Sequence, residues 1–397
     1  MCNINNYIKI KYQKRRSFMV IGGIKAILFI VAVILVVGII GAYSYHFIRR
    51  IVNLILKNKS SRYKKILSII LAVALVISLI ALFGVWSVAV LYVLLFSIFV
   101  DIVYFIVCKV SGKKNKTCEV IYRSGIIPIL IGVIMTSYGY YNMHRVVETD
   151  YTIYTDKNIR SEGYKIAFIS DLHYGVNMDG KQLEKYCEDI EAQNPDIVIL
   201  GGDIVDENTS RKGMYEAFDE LSKIKSTYGT FYVYGNHDKA TYARKPNFTE
   251  EELDNAIKDS GIKILADDSV TINDQITVTG RKDKSFRGDN LREPIDELIV
   301  NTQADSNKYN ILVDHQPGDF DETDNAGYDV MLSGHTHAGQ IWPGGLFIKT
   351  FIKDTLCYGH EKFNNLDIIT SSGMAGWGIP VRTEENCEYI ILDIKPE

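Results

Sequence analysis

The chain has 397 residues, a formal net charge of −4 and a mean hydropathy near zero. Those averages blend an apolar first third with an ordinary polar remainder, and no basic tract follows the apolar part, so nucleic-acid binding is not expected. The six cysteines (Cys2, Cys108, Cys118, Cys187, Cys357 and Cys387) form no C-x-x-C pair, which argues against a zinc ribbon or a dithiol redox motif.

Residues 1–145 read as an all-α transmembrane region of about four helices. Ala26–Tyr45 is uncharged and has the roughly 20-residue length that a bilayer requires. Ile66–Val100 is a longer uncharged run with Gly84 near its middle, and it predicts two spans, 66–83 and 86–107, joined by a tight turn. A fourth span, 125–141, contains Pro128 and Gly132. A signal peptide, with a single short apolar core, does not account for this pattern.

The first connection carries Arg49, Arg50, Lys57, Lys59, Arg62, Lys64 and Lys65, and the third carries Lys109, Lys113, Lys114, Lys116 and Arg123. Four spans place both connections on one side. The positive-inside tendency makes that side cytoplasmic, and the C-terminal domain then lies extracytoplasmic. Lys9, Lys11, Lys14, Arg15 and Arg16 oppose this placement, unless translation starts at Met19 rather than Met1 or the dense connections outweigh the tail. Asp101, inside the third span, is read as reaching the interface rather than marking an ion path.

A polar stalk is expected over 146–163, and a domain over 164–397. Tyr164–Ser170 reads as a buried strand. Leu183, Tyr186, Cys187 and Ile190 recur at helical spacing, and Ile197–Leu200 is a second strand. Met214, Phe218, Leu221 and Ile224 mark another helix, Thr230–Tyr234 another strand, and Thr249 with Glu252 a capping box. Further short strands are expected near 262–265, 276–279, 310–313, 329–332, 366–370 and 388–394, and the alternation predicts an α/β domain.

Polar residues cluster where these strands end: Asp171-Leu172-His173, Gly201 to Asp206, Gly235-Asn236-His237-Asp238, Asp314-His315 and Gly334-His335-Thr336-His337. Five of the 8 histidines fall in these places, while His46, His144 and His360 lack such context. Sites in open α/β sheets form beyond the carboxyl ends of strands. Carboxylate, imidazole and amide oxygen without thiolate suit divalent Mn, Fe or Zn. Such a set is too large for one open site and fits two ions about 3.5–4 Å apart, which hold a phosphoryl group and supply hydroxide at neutral pH.

The order DLH, GGDIVD, GNHD, DHQP and GHTHAGQ resembles the calcineurin-like metallophosphoesterase family from about Tyr164 to the C-terminus. The resemblance implies an αββα sandwich and a dinuclear metal centre hydrolysing a phosphomono- or phosphodiester. It makes Asp171, His173, Asp203 and His337 ligands of one metal, with Asp203 bridging. Asn236, His315 and His335 complete the second. His237 would protonate the leaving oxygen, Asp238 would orient His237, and Asp206 would support a ligand from behind. The tail GMAGWGIPVR is similar to a membrane-anchored subgroup, which points to the bilayer as a partner and to a lipid-linked or cell-envelope substrate. The competing expectation is a non-catalytic membrane scaffold or sensor that keeps the fold. Substitution of a ligand would favour it, and none is substituted.

Overall fold

The computed structural model describes residues 2–112, 115–239, 242–302 and 305–397, with side chains from Ile27 onward, Asp289 excepted. The expected roles of Lys9, Lys11, Lys14, Arg15, Arg16, Lys113 and Lys114 concern side chains outside the described residues. The chain forms two compact units, 1–135 and 136–397.

The first unit is built from α1 (Cys2–Ile55), α2 (Ser61–Ala81), α3 (Val85–Ser111), α4 (Lys116–Ser124) and the start of α5 (Ile126–Met143). Four stretches are long and apolar enough to cross a membrane: Ile27–Ile55, Ser61–Ala81, Val85–Ser111 and Ile126–Met143. Gly84 makes the expected turn between the second and third, with φ 136° that a side chain would resist. Helix α1 runs ten residues past the expected end of the first span, so Arg49 and Arg50 lie on the helix and not in a connection. Their surroundings explain the extension. Asp101 of α3 accepts from the buried Arg50 and, at 2.7 Å, from Tyr43. Ser97 accepts from Arg50 at 3.0 Å. Asp101 is therefore paired with α1 rather than reaching for an interface, as a carboxylate among apolar helices must be.

The second unit alternates strands and helices. It contains β1 (Val146–Thr155), β2 (Tyr164–Ile169), α6 (Gly180–Ala192), β3 (Ile197–Leu200), α7 (Arg211–Leu221), β4 (Thr230–Tyr232), α8 (Glu250–Asp259) and β5 (Lys263–Ile264). There follow β6 (Asp268–Ile272), β7 (Ile276–Gly280), α9 (Ile295–Asn301), β8 (Tyr309–Val313), α10 (Phe320–Ala326), β9 (Val330–Ser333), α11 (Gly344–Phe351), β10 (Gly359–Phe363), β11 (Leu366–Thr370) and β12 (Cys387–Pro396). One six-stranded sheet has the order β1-β12-β2-β3-β4-β5, and the other β10-β11-β9-β8-β7-β6.

Burial follows from the strand pattern. Ile166, Phe168, Ile197, Ile199, Ile390 and Leu392 of the first sheet pack against Val278, Ile311, Val313, Val330 and Leu332 of the second. The outer face of the first sheet is covered by Leu183, Ile190, Met214, Phe218, Leu253 and Ile257 of α6, α7 and α8. The outer face of the second meets Ile295, Leu298 and Phe320 of α9 and α10. These layers are the expected αββα sandwich. Thr249 and Glu252 form the expected capping box at α8.

The expected stalk over 146–163 is corrected. Its first ten residues are the edge strand β1, parallel to β12 from Val146 opposite Cys387 to Thr155 opposite Pro396. The rest is tied down by Lys157 to Asp329 at 2.6 Å and by Arg160 to Asp196. Only His144 and Arg145 separate α5 from β1, so the helix passes almost directly into the edge strand. The charged and polar residues that suggested a stalk are what the solvent face of an edge strand carries.

Candidate active site

Every expected ligand lies just beyond the carboxyl end of a parallel strand. Asp171 and His173 follow β2, Asp203 follows β3, Asn236 follows β4, His315 follows β8, and His335 and His337 follow β9. The backbone there is unusual. Asp171, His173, Asp203, His335 and His337 have φ of 53°, 42°, 52°, 68° and 49°, a region that ordinary residues rarely occupy. Two glycines permit the close approach. A Cβ on Gly235 would lie 2.2 Å from Asp203 Oδ1, and one on Gly334 would lie 2.1 Å from Asp171 Oδ2.

The structure gathers Asp171, His173 and His337 into one group and Asp203, His315 and His335 into a second, each with ligand atoms within 4.8 Å of one another. Asp203 lies between them, its Oδ2 at 3.1 Å from His315 Nε2 and 3.8 Å from His173 Nε2. Its other oxygen accepts the His237 backbone N–H at 2.8 Å. The imidazoles are held from behind. His173 Nδ1 is 3.3 Å from Asp206 Oδ2, and His315 Nδ1 is 2.8 Å from the Gly201 carbonyl. A carboxylate and a carbonyl can only accept, so Nδ1 carries a proton in each case and Nε2 is the nitrogen turned into the site.

This donor set fits divalent cations. Asn236 Oδ1, His173 Nε2 and His337 Nδ1 are buried without a hydrogen-bond partner, and such orphaned acceptors are costly unless a cation meets them. Burial works against a charged His315, yet Asp203 and Asp171 hold its pKa well above the ordinary histidine value. Burial raises the Asp203 carboxyl, and the imidazoles of His315 and His173 outweigh it and hold it well below the carboxylate range. Burial takes His337 down to about 3, which keeps that imidazole neutral.

The expected role of Asp238 is corrected. Its carboxylate does not face the His237 ring. It accepts backbone N–H groups from Asp203 at 2.8 Å, Ile204 at 2.9 Å, Val205 at 3.2 Å and Gly235 at 2.6 Å. It clamps together the two loops that follow β3 and β4. Burial and the Asp203 charge push its pKa up to about 6 against those donors. The residue that orients His237 is Glu207, whose carboxylate lies 2.9 Å from Nδ1. Burial alone would lower the His237 pKa, and Glu207 together with Asp203 raises it. Tyr242 and Trp377 flank the same imidazole, with ring centroids at 5.1 and 5.5 Å. Arg382, fully buried, donates to the carbonyls of His337, Ser372 and Ala375 and so fixes the Trp377 loop to the His337 loop. Glu207 stands one residue past GGDIVD and had no spacing to mark it. Trp377 and Arg382 lie within the GMAGWGIPVR tail, which sequence reasoning used only as a resemblance.

Comparison with known proteins agrees with this geometry. The family model described as calcineurin-like phosphoesterase matches residues 164–339. An uncharacterized metallophosphoesterase of Campylobacter jejuni is 29% identical across 73% of this chain and 75% of its own length. One from Aquifex aeolicus is 30% identical across 67% of this chain and 98% of its own length. A Danio rerio protein, the transmembrane protein with metallophosphoesterase domain, is 26% identical across 69% of this chain and 63% of its own length. On these matches the chain belongs to the calcineurin-like metallophosphoesterase family, and its relatives include transmembrane proteins with that domain.

Proposed function

We propose that this protein is a membrane-anchored, metal-dependent phosphoric ester hydrolase acting on a phosphomono- or phosphodiester of a lipid-linked or cell-envelope substrate, with its catalytic unit extracytoplasmic. The observation that carries the hydrolase reading is the gathering of two Asp/His groups around Asp203 Oδ2, with His315 Nε2 at 3.1 Å and His173 Nε2 at 3.8 Å. Asp171, His173, Asp203 and His337 would hold one divalent ion, and Asn236, His315 and His335 with the shared Asp203 the other. When bound, such ions supply charge to grip the phosphoryl group and lower the pKa of a water.

The protein's own residues do the rest. Glu207 holds His237 Nδ1–H, which leaves Nε2 to deliver a proton to the departing oxygen. Tyr242 and Trp377 fix the plane of that ring. Asp206 and the Gly201 carbonyl keep His173 and His315 in the tautomer a metal requires. Asp238 keeps the Asp203 and Asn236 loops in register.

The test is hydrolysis of bis-p-nitrophenyl phosphate and p-nitrophenyl phosphate by the full chain in detergent, before and after chelation and with Mn²⁺ returned. Activity should disappear with the metal and return with it, and Asp203→Ala should lose both metal content and activity. Full activity in metal-free protein would overturn the reading.

A further inference from the structure

Helix α11 turns apolar side chains to solvent. Leu346, Phe347, Phe351 and Ile352 are 61%, 59%, 69% and 49% exposed. Phe347 and Phe351 stand one turn apart on one helix face beside Leu346, and the two Phe rings lie 4.9 Å apart. The opposite face is anchored. Gly345 is buried, its N–H donates to the Glu384 carboxylate at 2.8 Å, and a Cβ there would lie 2.1 Å from Glu384 Oε2. The helix is thus fixed with its apolar face outward, where contiguous exposed apolar surface marks a binding face.

Its surroundings identify what binds. Tyr138 of α5 lines the same cleft as Leu346, Lys349, Glu384 and Asn386. The last turns of α5 are fastened to the same stretch of chain. The Gly139 carbonyl accepts the Arg382 N–H at 2.8 Å, Asn142 donates to the Glu385 carbonyl at 2.9 Å, and Met143 is buried in the core. Tyr138 precedes Met143 by roughly 7.5 Å along the axis at 1.5 Å per residue. Helix α11 therefore stands beside the end of an apolar span and not beyond it. Tyr138, Tyr140 and Tyr141 are 50%, 49% and 65% exposed, and tyrosines at a span's end favour the membrane–water interface. Lys349 and Lys353 are exposed on and just after α11.

We propose that α11 is seated in the membrane: Leu346, Phe347, Phe351 and Ile352 enter the headgroup–acyl boundary of a lipid bilayer beside the end of α5, while Lys349 and Lys353 meet anionic headgroups. The inference rests on the membrane-anchored reading above and deepens it. Helix α11 begins seven residues after His337, so the ligand loop is held at the lipid surface, where phosphoesters on lipid headgroups are concentrated.

The test uses the full chain with Cys2, Cys108 and Cys118 replaced by serine, since Cys187, Cys357 and Cys387 are buried. Phe347→Cys carries an environment-sensitive NBD label, and the protein is reconstituted in vesicles of phosphatidylcholine and phosphatidylglycerol. Lipid brominated near the top of its acyl chains should quench the label about twofold or more, at the roughly 5–10 Å depth of an interfacial helix. A label at Tyr215→Cys on α7 should not be quenched. A label in water, or one shielded from aqueous iodide yet untouched by brominated lipid, overturns the inference. The second of these results would assign the face to another protein or a second copy. Phe351→Cys repeats the measurement at an independent position. Mn²⁺-dependent hydrolysis of bis-p-nitrophenyl phosphate by the same samples separates the two readings. Its absence in the unlabelled protein defeats the hydrolase reading alone, and a water-exposed label on an active protein defeats only the seating of α11.

Discussion

In the proposed mechanism the His237–Glu207 pair gives the proton donor two properties at once. It fixes which nitrogen faces the substrate, and it keeps that nitrogen protonated to a higher pH than burial would allow. Glu207→Gln keeps the shape and can still accept from Nδ1–H, but it removes the charge that raises the His237 pKa. A general acid works in its protonated form, so rate falls as pH rises through its pKa. Lowering that pKa moves the alkaline limb of the pH–rate profile to lower pH, and any bound cation acts on both proteins alike. The expected outcome for Glu207→Gln is that alkaline-limb shift with metal content unchanged, while His237→Ala loses about 10²–10⁴-fold in rate. Esters with very good leaving groups should be spared in both variants. An unshifted limb would mean that the Glu207 charge does not tune His237. The two Asp/His clusters were legible in the sequence because their members sit at strand ends in a fixed order, with glycine beside Asp203 and His335. Glu207 was not, because what brings it to His237 is the meeting of the β3 and β4 loops, and that meeting is itself made by Asp238 accepting from both. Asp238 was misread for the same reason: adjacency to His237 in sequence does not set the direction of a side chain at a turn.

Among the elements, strands with continuous apolar runs were legible, and β1 was not. Its sequence VVETDYTIYT alternates polar and apolar residues only over Asp150–Ile153, and a strand on a polar stretch resembles a linker when its partner, β12, lies more than two hundred residues away. Helix α11 was missed because its 8 residues are too short a run for a helical period to show. The strand reading of β1 has a direct consequence. Ile153 is 6% exposed and packs in the core between the sheets, while its neighbour Tyr154 is 63% exposed. In the full chain Ile153→Ala should cost about 2–5 kcal/mol, the range for truncating a buried aliphatic side chain, and Tyr154→Ala should change stability little. Thermal denaturation of the purified protein in detergent distinguishes the two. Equal and small effects would mean that the segment is a linker after all.

At the scale of the whole molecule the proposed extracytoplasmic placement rests on basic residues, and the structure refines which of them bear on it. Arg50 is paired with Asp101, and Arg123 lies 2.6 Å from Glu119, so neither offers a full free charge to the positive-inside tendency. Lys57, Lys59, Arg62, Lys64 and Lys65 remain between α1 and α2 or on the first turns of α2, and Lys109 and Lys116 lie at the facing ends of α3 and α4. The turn between α2 and α3, which four crossings place on the opposite side, is Leu82-Phe83-Gly84 and carries no charge. The asymmetry survives the loss of the two arginines, and it favours retention of the α1–α2 and α3–α4 connections in the cytoplasm. With four crossings, a reporter fused after Glu397 should be active only in an extracytoplasmic assay. Replacing Lys57, Lys59, Arg62, Lys64 and Lys65 by glutamine should then move part of the population to the reverse orientation, because lysine and arginine rather than net charge set the bias. A reporter active only in the cytoplasm, unchanged by those substitutions, would mean an odd number of crossings and would turn the site toward soluble cellular phosphoesters instead of the envelope.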